Sequence, residues 1–235
     1  DLEGRKLKKA FELYAVASGQ GTKTRTLIVG PNYNLSDVSN SQKSMQVRQA
    51  FIERGFSVKT LPGAEAKAEN IKKSLENIRA SCNSSDLVVL YLIGNFSFDG
   101  KKLAFVSSDE KENFSITSDY LRQYRQSLPG ARFMIIWDVQ SSQMKNLPSQ
   151  LDKNNVLIAS QLDSSSCTAL IYGMADSSKG NSNSSLTDLF LDSLNQAEND
   201  LFQAVRLTYP LLCSQELNKA KSEKKAISLP IFVSF

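Results

Sequence analysis

The fold of this chain is decided by the stretch Asp86-Leu87-Val88-Val89-Leu90-Tyr91-Leu92-Ile93-Gly94-Asn95, an unbroken apolar run that ends in glycine and asparagine. A second run, Phe133-Met134-Ile135-Ile136-Trp137-Asp138, has the same character and also ends in a polar residue. Strands that read as continuous apolar segments are typical of parallel sheets covered on both faces. We therefore predict that both runs are central strands of an α/β fold.

Outward from these two runs, helical and strand patterns alternate along the chain, which predicts a mostly parallel sheet with helices on both faces. The predicted strands are Thr26–Gly30, Phe56–Leu61, a hairpin over Phe98–Val106, Val156–Ser160 and an edge strand over Ile227–Phe235. The predicted helices are Arg5–Ala17, Ser39–Arg54 ending at Gly55, Ala64–Ala80, Ser118–Ser127 with a serine N-cap, Leu186–Leu194 and Ala197–Leu212, and Ser177–Ser185 is predicted to be a mobile loop.

Composition restricts the function more than the fold. The 235 residues carry a net charge of +4, with 41% hydrophobic and 22% charged residues, as in ordinary soluble globular proteins. No apolar run is long enough to cross a bilayer, and the mild charge does not favour a nucleic-acid binder. We expect neither a membrane nor a nucleic acid as partner. Because the chain opens at Asp1, we expect a fragment or a processed product.

The chain contains no histidine, which excludes Ser-His-Asp triads, Cys-His dyads and histidine zinc sites. Its cysteines, Cys82, Cys167 and Cys213, are too few and too far apart for a structural zinc site. No phosphate-binding glycine motif follows a strand, so we expect no cofactor and no metal. Sparse cysteines fit a reducing compartment, and we expect a cytoplasmic protein with buried cysteines. Asn-x-Ser sequons keep secretion open as an alternative, at Asn34, Asn83, Asn95, Asn113 and Asn183.

Five short motifs follow one another along residues 26–235. They are Gly30 to Tyr33 at the end of the first strand, Phe51 to Val58, Tyr91 to Phe96, Asp138 to Gln143, and Ser185 to Leu194. In order and spacing this set resembles the Gly-x-x-Tyr, L-x-x-x-G-F-x-V, Y-F-S-G-H-G, D-x-C-x-S-G and F-T-x-x-L-x-x-x-L motifs of the caspase-like family of caspases, paracaspases and metacaspases. The resemblance implies a three-layer sandwich with a mostly parallel six-stranded sheet over residues 26–235, preceded by an N-terminal helix and linker over residues 1–25.

The sequence departs from the family pattern where the chemistry would be. By the resemblance, Asn95 occupies the position of the catalytic histidine and Gln140 that of the nucleophilic cysteine. A carboxamide neither titrates nor acts as a nucleophile in water, so the implied dyad is lost. The family's acidic pocket residue aligns with Lys43, and Asp138 matches the aspartate before the nucleophile. Gly94 and Ser141 complete this neighbourhood.

The leading hypothesis is a catalytically inactive caspase-like domain that acts by protein–protein interaction, as a regulator of or scaffold for a caspase-like protease or a larger assembly. The apolar edge strand Ser228–Phe235 is the predicted contact, for a homodimer or a heterodimer with a caspase-like protein.

Two other functions stay open from the sequence. Ser141, Ser142 or Cys167 could serve as a relocated nucleophile of a hydrolase, activated by lysine or a carboxylate. Alternatively, the crevice at the strand ends could sense a small ligand. The residues also have local interpretations, since Gly94-Asn95 could form a simple turn and Asp138 could cap the helix that follows it.

Overall fold

The computed structural model describes residues 23–33, 38–98, 103–109, 116–141, 167–175, 185–198, 200–223 and 231–233. In chain order the strands are β1 (Thr24–Gly30), β2 (Ser57–Pro62), β3 (Leu87–Gly94), β4 (Phe96–Phe98), β5 (Leu103–Phe105), β6 (Ile116–Thr117), β7 (Arg132–Ser141), β8 (Cys167–Ala175) and β9 (Ile231–Val233). The α-helices are α1 (Ser39–Glu53), α2 (Ala68–Ser81), α3 (Ser118–Ser127), α4 (Leu186–Gln196) and α5 (Leu201–Glu223).

Six strands form one mostly parallel sheet in the order β2-β1-β3-β7-β8-β9, in which only β9 runs antiparallel to its neighbour. A smaller antiparallel sheet joins β4, β5 and β6. The two stretches that the sequence singled out, β3 and β7, lie side by side in the middle. Every residue of β3 is buried, which confirms that helices cover both faces of this strand.

The helices divide into two layers with separate apolar cores. On one face, α2 and α3 pack with the small sheet, and Leu75, Tyr124 and Trp137 are buried together there. On the other face, α1, α4 and α5 pack around Phe51, Phe190 and Val205. The aromatic rings of Phe51, Tyr91 and Phe190 meet with centroids 5.6 to 6.2 Å apart. The structure is thus the predicted three-layer α/β sandwich.

Local sequence signals account for several element ends. Gly55 adopts φ +76° after α1, a conformation that glycine takes without strain, as predicted for a residue that ends a helix. Ser185 and Asp188 form a reciprocal capping box at the start of α4. The predicted serine cap of α3 is wrong, because Thr117 is the N-cap and its hydroxyl accepts a hydrogen bond from the Tyr120 N–H.

Most element predictions are confirmed within a few residues. The hairpin forms between β4 and β5, and the last strand lies at the sheet edge. The helix predicted from Ala64 begins at Ala68 after a short 3₁₀ turn at Gly63–Glu65, and α5 continues to Glu223. β1 begins at Thr24, two residues before its predicted start. None of the helices in the described ranges is long and apolar enough to cross a membrane.

The strand that pairs with β7 was missed. The sequence favoured Val156–Ser160, which lies outside the described residues, whereas Cys167–Ala175 forms the observed parallel neighbour. Its sequence mixes Gly173 and two alanines, which are depleted in strands, with Thr168, Ile171 and Tyr172, which are enriched in them, and the pairing with β7 defines the strand. The predicted helix Arg5–Ala17 and loop residues 177–184 also lie outside the described residues. Of the cysteines predicted to be buried, Cys82 is buried but Cys213 is only partly covered.

Candidate functional site

The site lies at the carboxyl ends of β3 and β7. These strands pair in parallel with Ile93 opposite Asp138 and Gly94 opposite Val139. Asn95 and Gln140 are the residues that directly follow this pair, so their backbones lie side by side at the carboxyl ends of the two strands. The backbone of Gln140 also pairs with Met174 of β8. The register thus brings the backbones of Asn95 and Gln140 to the same end of the sheet, as expected for the two positions that the resemblance assigns to a dyad.

The backbone around Asn95 is held by Tyr33. The N–H of Asn95 donates to the Tyr33 hydroxyl at 2.7 Å, and that hydroxyl donates to the Val106 carbonyl at 2.8 Å. The Asn95 carbonyl in turn accepts from the Val106 N–H at 3.0 Å. Burial raises the pKa of Tyr33 well above its usual value, although the hydrogen bond from Asn95 acts in the opposite direction. Tyr33 therefore stays a neutral hydroxyl that fixes the strand end.

Gly94 is required by the same arrangement. A Cβ atom at this position would lie 2.5 Å from the Tyr33 hydroxyl oxygen and 3.3 Å from atoms of Phe105 and Pro31. Those distances are shorter than normal contacts, so any side chain would displace the tyrosine. The turn interpretation of Gly94-Asn95 misses this constraint, because the need for glycine comes from a close approach rather than from positive φ.

Asp138 is the centre of a buried polar network. Its side chain is 2% exposed, and its Oδ2 accepts from the Thr187 N–H at 3.1 Å and from the Thr187 hydroxyl at 2.5 Å. The Thr187 hydroxyl also accepts from the Tyr91 hydroxyl at 3.2 Å. Burial, with a smaller contribution from the Asp138 charge, raises the pKa of Tyr91 far above its usual value. Tyr91 consequently acts only as a neutral donor.

Thr187 lies in the first turn of α4, so Asp138 directs its carboxylate at a helix N-terminus. Exposed N–H groups and the helix dipole favour an anion at this position. The expected cap on the helix directly after Asp138 falls outside the described residues, and within them the carboxylate caps the helix that begins at Leu186, beyond the strand β8. The carboxylate therefore ties the sheet to the helix layer.

Lys43 completes the network from α1. Its Nζ lies 3.8 Å from Asp138 Oδ2, and its side chain is 21% exposed. By the resemblance, Lys43 takes the position of an acidic pocket residue, and in the structure this lysine supplies a cation that partly neutralises Asp138.

The structure separates the alternative nucleophiles. Ser141 is the last residue of β7, one position beyond Gln140, while Ser142 lies outside the described residues. Cys167 begins β8 opposite Phe133, at the amino end of the sheet. Seven residues separate it from the Met174 position beside Gln140, which corresponds to about 23 Å along a strand. Cys167 therefore does not join the site, and among the described residues no histidine, cysteine or carboxylate cluster could hold a metal.

Sequence reasoning missed Tyr33, Tyr91 and Thr187 as site residues. Tyr33 and Tyr91 had been noted only as members of motifs. A signal for Thr187 existed, because Ser185 and Asp188 have the spacing of a capping box and place Thr187 in the first turn of a helix. The partner of that turn is Asp138, 49 residues earlier, and no local pattern connects the two.

Comparison with solved structures places this architecture among caspase-like folds. The structure of pro-sf-caspase-1 matches with a TM-score of 0.57 and 11% identity over 91% of each chain. The crystal structure of protein GSU0716 from Geobacter sulfurreducens matches with a TM-score of 0.51 and 13% identity, over 90% of this chain and 92% of that one. No protein-family profile and no curated protein matches the sequence. At these identities the likeness concerns the fold, and the chain has a caspase-like fold.

Proposed function

We propose that this chain is a catalytically inactive caspase-like domain that works by binding another protein. The observation that carries the proposal is the pair Asn95 and Gln140 at the ends of two neighbouring central strands. Cysteine proteolysis needs a thiolate and a group that protonates the leaving amine. Two carboxamides supply neither, and the chain has no histidine that could substitute from elsewhere.

The surrounding charges support the same conclusion. Asp138 is buried, bonded to Thr187 and 3.8 Å from Lys43, so its carboxylate serves packing and is poorly available to bind a substrate cation. Ser141 has no imidazole partner, and a serine hydroxyl without a base is a weak nucleophile. These features favour a domain that binds a partner through its surface over one that catalyses a reaction.

The surface that we propose for the partner is the edge formed by β9. This strand pairs antiparallel with β8 through Ile231, Phe232 and Val233, and it is the last strand in the sheet order. An apolar edge strand offers backbone hydrogen bonds to a strand of another chain. The proposed partner is a caspase-like protein or a second copy of this domain.

The first experiment tests inactivity. The protein is incubated with fluorogenic peptides that present arginine, lysine or aspartate before the scissile bond, and separately with a fluorophosphonate and a chloromethylketone probe. We expect no turnover and no site-specific labelling above that of the unfolded chain. Specific labelling of Ser141, located by mass spectrometry, would instead support a hydrolase with a relocated nucleophile.

A second experiment tests the alignment of the dyad positions. In the double variant Asn95→His/Gln140→Cys, an imidazole and a thiol should lie within reach of each other. We expect the thiol pKa to fall below the ordinary value of about 8.5, because an imidazolium stabilises a thiolate. The pH dependence of iodoacetamide alkylation measures it, with Gln140→Cys alone as the control. Identical pKa values in the single and double variants would refute the alignment.

A third experiment tests the partner surface. Sedimentation velocity compares the wild type with Ile231→Lys/Val233→Lys, alone and mixed with a caspase-like protease domain. Lysines on an edge strand disfavour strand pairing, so we expect the variant to lose any dimer that the wild type forms. A strictly monomeric wild type that binds no such domain would exclude this partner class.

A further inference from the structure

The edge of the sheet opposite β9 is formed by β2. This strand pairs with β1 on one side, and within the described ranges no strand pairs with its other side. In a strand, successive residues direct their peptide N–H and C=O groups to alternate sides, so half of these groups in Ser57–Pro62 point away from β1. An edge of this kind accepts an extended peptide as an additional strand.

A concavity of mixed polar and apolar character flanks the edge on the α2 face. Leu61 of β2 is buried in the same core as Ile71 and Leu75 of α2. Because side chains alternate along a strand, Lys59 and Ser57 face this side too. Beyond the core, a concavity of about 240 Å³ is lined by Ser57, Lys59, Ser74, Asn77 and Ile78, among others. A side chain of an added strand that points to this face would meet serine hydroxyls, the Asn77 amide and the Lys59 ammonium group, with the Arg25 guanidinium and apolar Ile78 in the same lining.

A second, shallow concavity that is widely open to solvent flanks the same edge on the α1 face. It has a volume of about 620 Å³ and is lined by Pro62 together with Ser41, Gln42, Met45, Gln46 and Gln49 of α1. Met45 is 45% exposed, which is high for a methionine, and it offers an adaptable apolar surface. The glutamines bring no formal charge. This side suits an uncharged, apolar side chain.

The two concavities lie on opposite faces of β2, one beside Lys59 and the other beside Pro62. Lys59 and Pro62 are three positions apart, an odd number, so they face opposite sides of the sheet. An added strand in register would place one residue beside Lys59 on the α2 face. The residue three positions along would lie beside Pro62 on the α1 face, about 10 Å away. The same spacing holds whether the added strand runs parallel or antiparallel to β2.

The charges distinguish between possible occupants. Lys59 forms no ion pair with any described residue, whereas Arg25, which lines the same concavity, is bound at 2.7 Å to Asp86. An ammonium group without an ion-pair partner in the described part of the chain, beside several hydroxyls, favours a carboxylate. A second copy of this chain would bring its own Lys59 to the edge, and like charges on paired strands repel.

We propose that β2 binds an extended segment of another protein by strand addition. The segment carries an acidic residue beside Lys59 and an apolar residue three positions away beside Pro62. This surface is independent of the dimer proposed at β9, since the two strands form opposite edges of the sheet. It gives the domain a second, sequence-selective contact.

Fluorescence anisotropy with labelled eight-residue peptides tests the proposal. Two probes alternate threonine and valine except for a glutamate and a leucine, with the leucine three residues after the glutamate for a parallel strand and three residues before it for an antiparallel one. The comparison peptides are made from the probe that binds more tightly, and they carry lysine in place of glutamate, or place the leucine only two residues from the glutamate. We expect this probe to bind at least tenfold more tightly than either. Lys59→Glu should reverse the preference between glutamate and lysine peptides, while Lys221→Glu, the same charge change at an exposed position of α5, should leave it unchanged.

Amide hydrogen exchange provides the second measurement. Binding should slow exchange at Val58–Leu61, with no change at β9. Equal affinity for this probe and both comparison peptides, no effect of Lys59→Glu, or edge amides of β2 that are already protected in the free protein would each overturn the proposal. If the protein forms no dimer through β9 but still binds the probe peptide, the proposal for β2 stands and only the proposal for β9 is refuted.

Discussion

Replacing Thr187 by valine tests whether the buried network around Asp138 holds the sheet to the helix layer. Valine has nearly the shape of threonine and fits the same first turn of α4, so the substitution removes one hydroxyl with little change in packing. That hydroxyl donates to the Asp138 carboxylate at 2.5 Å and accepts from Tyr91 at 3.2 Å. Asp138 and Tyr91 are both buried, and the substitution removes the hydroxyl that each of them bonds to.

The expected loss of stability follows from these two bonds. A hydrogen bond to a charged group contributes about 1.5–3 kcal/mol, and a buried hydroxyl left without a partner costs about 1–3 kcal/mol. Thr187→Val should therefore lower the free energy of unfolding by about 3–5 kcal/mol, a large part of the stability of an ordinary domain. Tyr91→Phe removes only the weaker neutral bond and should cost about 1 kcal/mol.

Urea denaturation measures these values through the fluorescence of Trp137, which is the only tryptophan and lies next to Asp138 in β7. The informative quantity is the coupling in the double variant. Once Thr187 is valine, the Tyr91 hydroxyl has lost its acceptor, so adding Tyr91→Phe should restore about 1 kcal/mol or more. Thr208→Val is a matched control, because its buried hydroxyl bonds, among the described residues, only to the Ala204 carbonyl within α5.

Two results would refute this reasoning. The first is a Thr187→Val effect no larger than that of Thr208→Val. The second is strict additivity of Thr187→Val and Tyr91→Phe, which would mean that the two hydroxyls do not interact. Equal denaturant m-values across the variants are needed for either comparison, since a changed m-value reports a change in the unfolded or native ensemble.

Three further predictions concern other parts of the structure. Gly94→Ala should lower stability by about 1–3 kcal/mol through overpacking against the Tyr33 hydroxyl, and Tyr33→Phe should partly rescue it in thermal melts. Burial opposes ionisation of Asp86, but hydrogen bonds from the Arg25 side chain and from two backbone N–H groups, together with the Arg25 charge, lower its pKa overall. The ionised carboxylate therefore stabilises the fold above about pH 4, and this stabilisation is lost as the pH falls through the lowered pKa. Asp86→Asn should therefore destabilise the protein at pH 7 and flatten its acid unfolding curve, and a curve parallel to that of the wild type would contradict this. Burial and the Asp86 charge raise the pKa of the Cys82 thiol, so iodoacetamide should modify it severalfold more slowly at pH 8 in the native than in the unfolded protein, as mass spectrometry would show.

Much of the central sheet was predictable because buried strands leave a local signature. The runs at β3 and β7 are apolar without interruption, and such runs have few alternatives to a strand covered on both faces. Because β3 and β7 are parallel neighbours, Asn95 and Gln140 lie side by side at the carboxyl ends of these strands. β8 was missed because alanines and Gly173 interrupt its strand-favouring residues, which leaves the local pattern ambiguous, and the register with β7 defines the strand.

The sequence by itself determined the alternation of strands and helices, the loss of imidazole chemistry and the polar residues at the strand ends, since these depend on residue identity and on short periodic patterns. Only the tertiary structure decided that Thr187 and Lys43 meet at Asp138, and that Lys59 and Pro62 flank an open edge with one concavity on each face. The physical reason is that such contacts join residues far apart in the chain. They depend on strand order, register and the packing of helices against the sheet, which no window of neighbouring residues encodes.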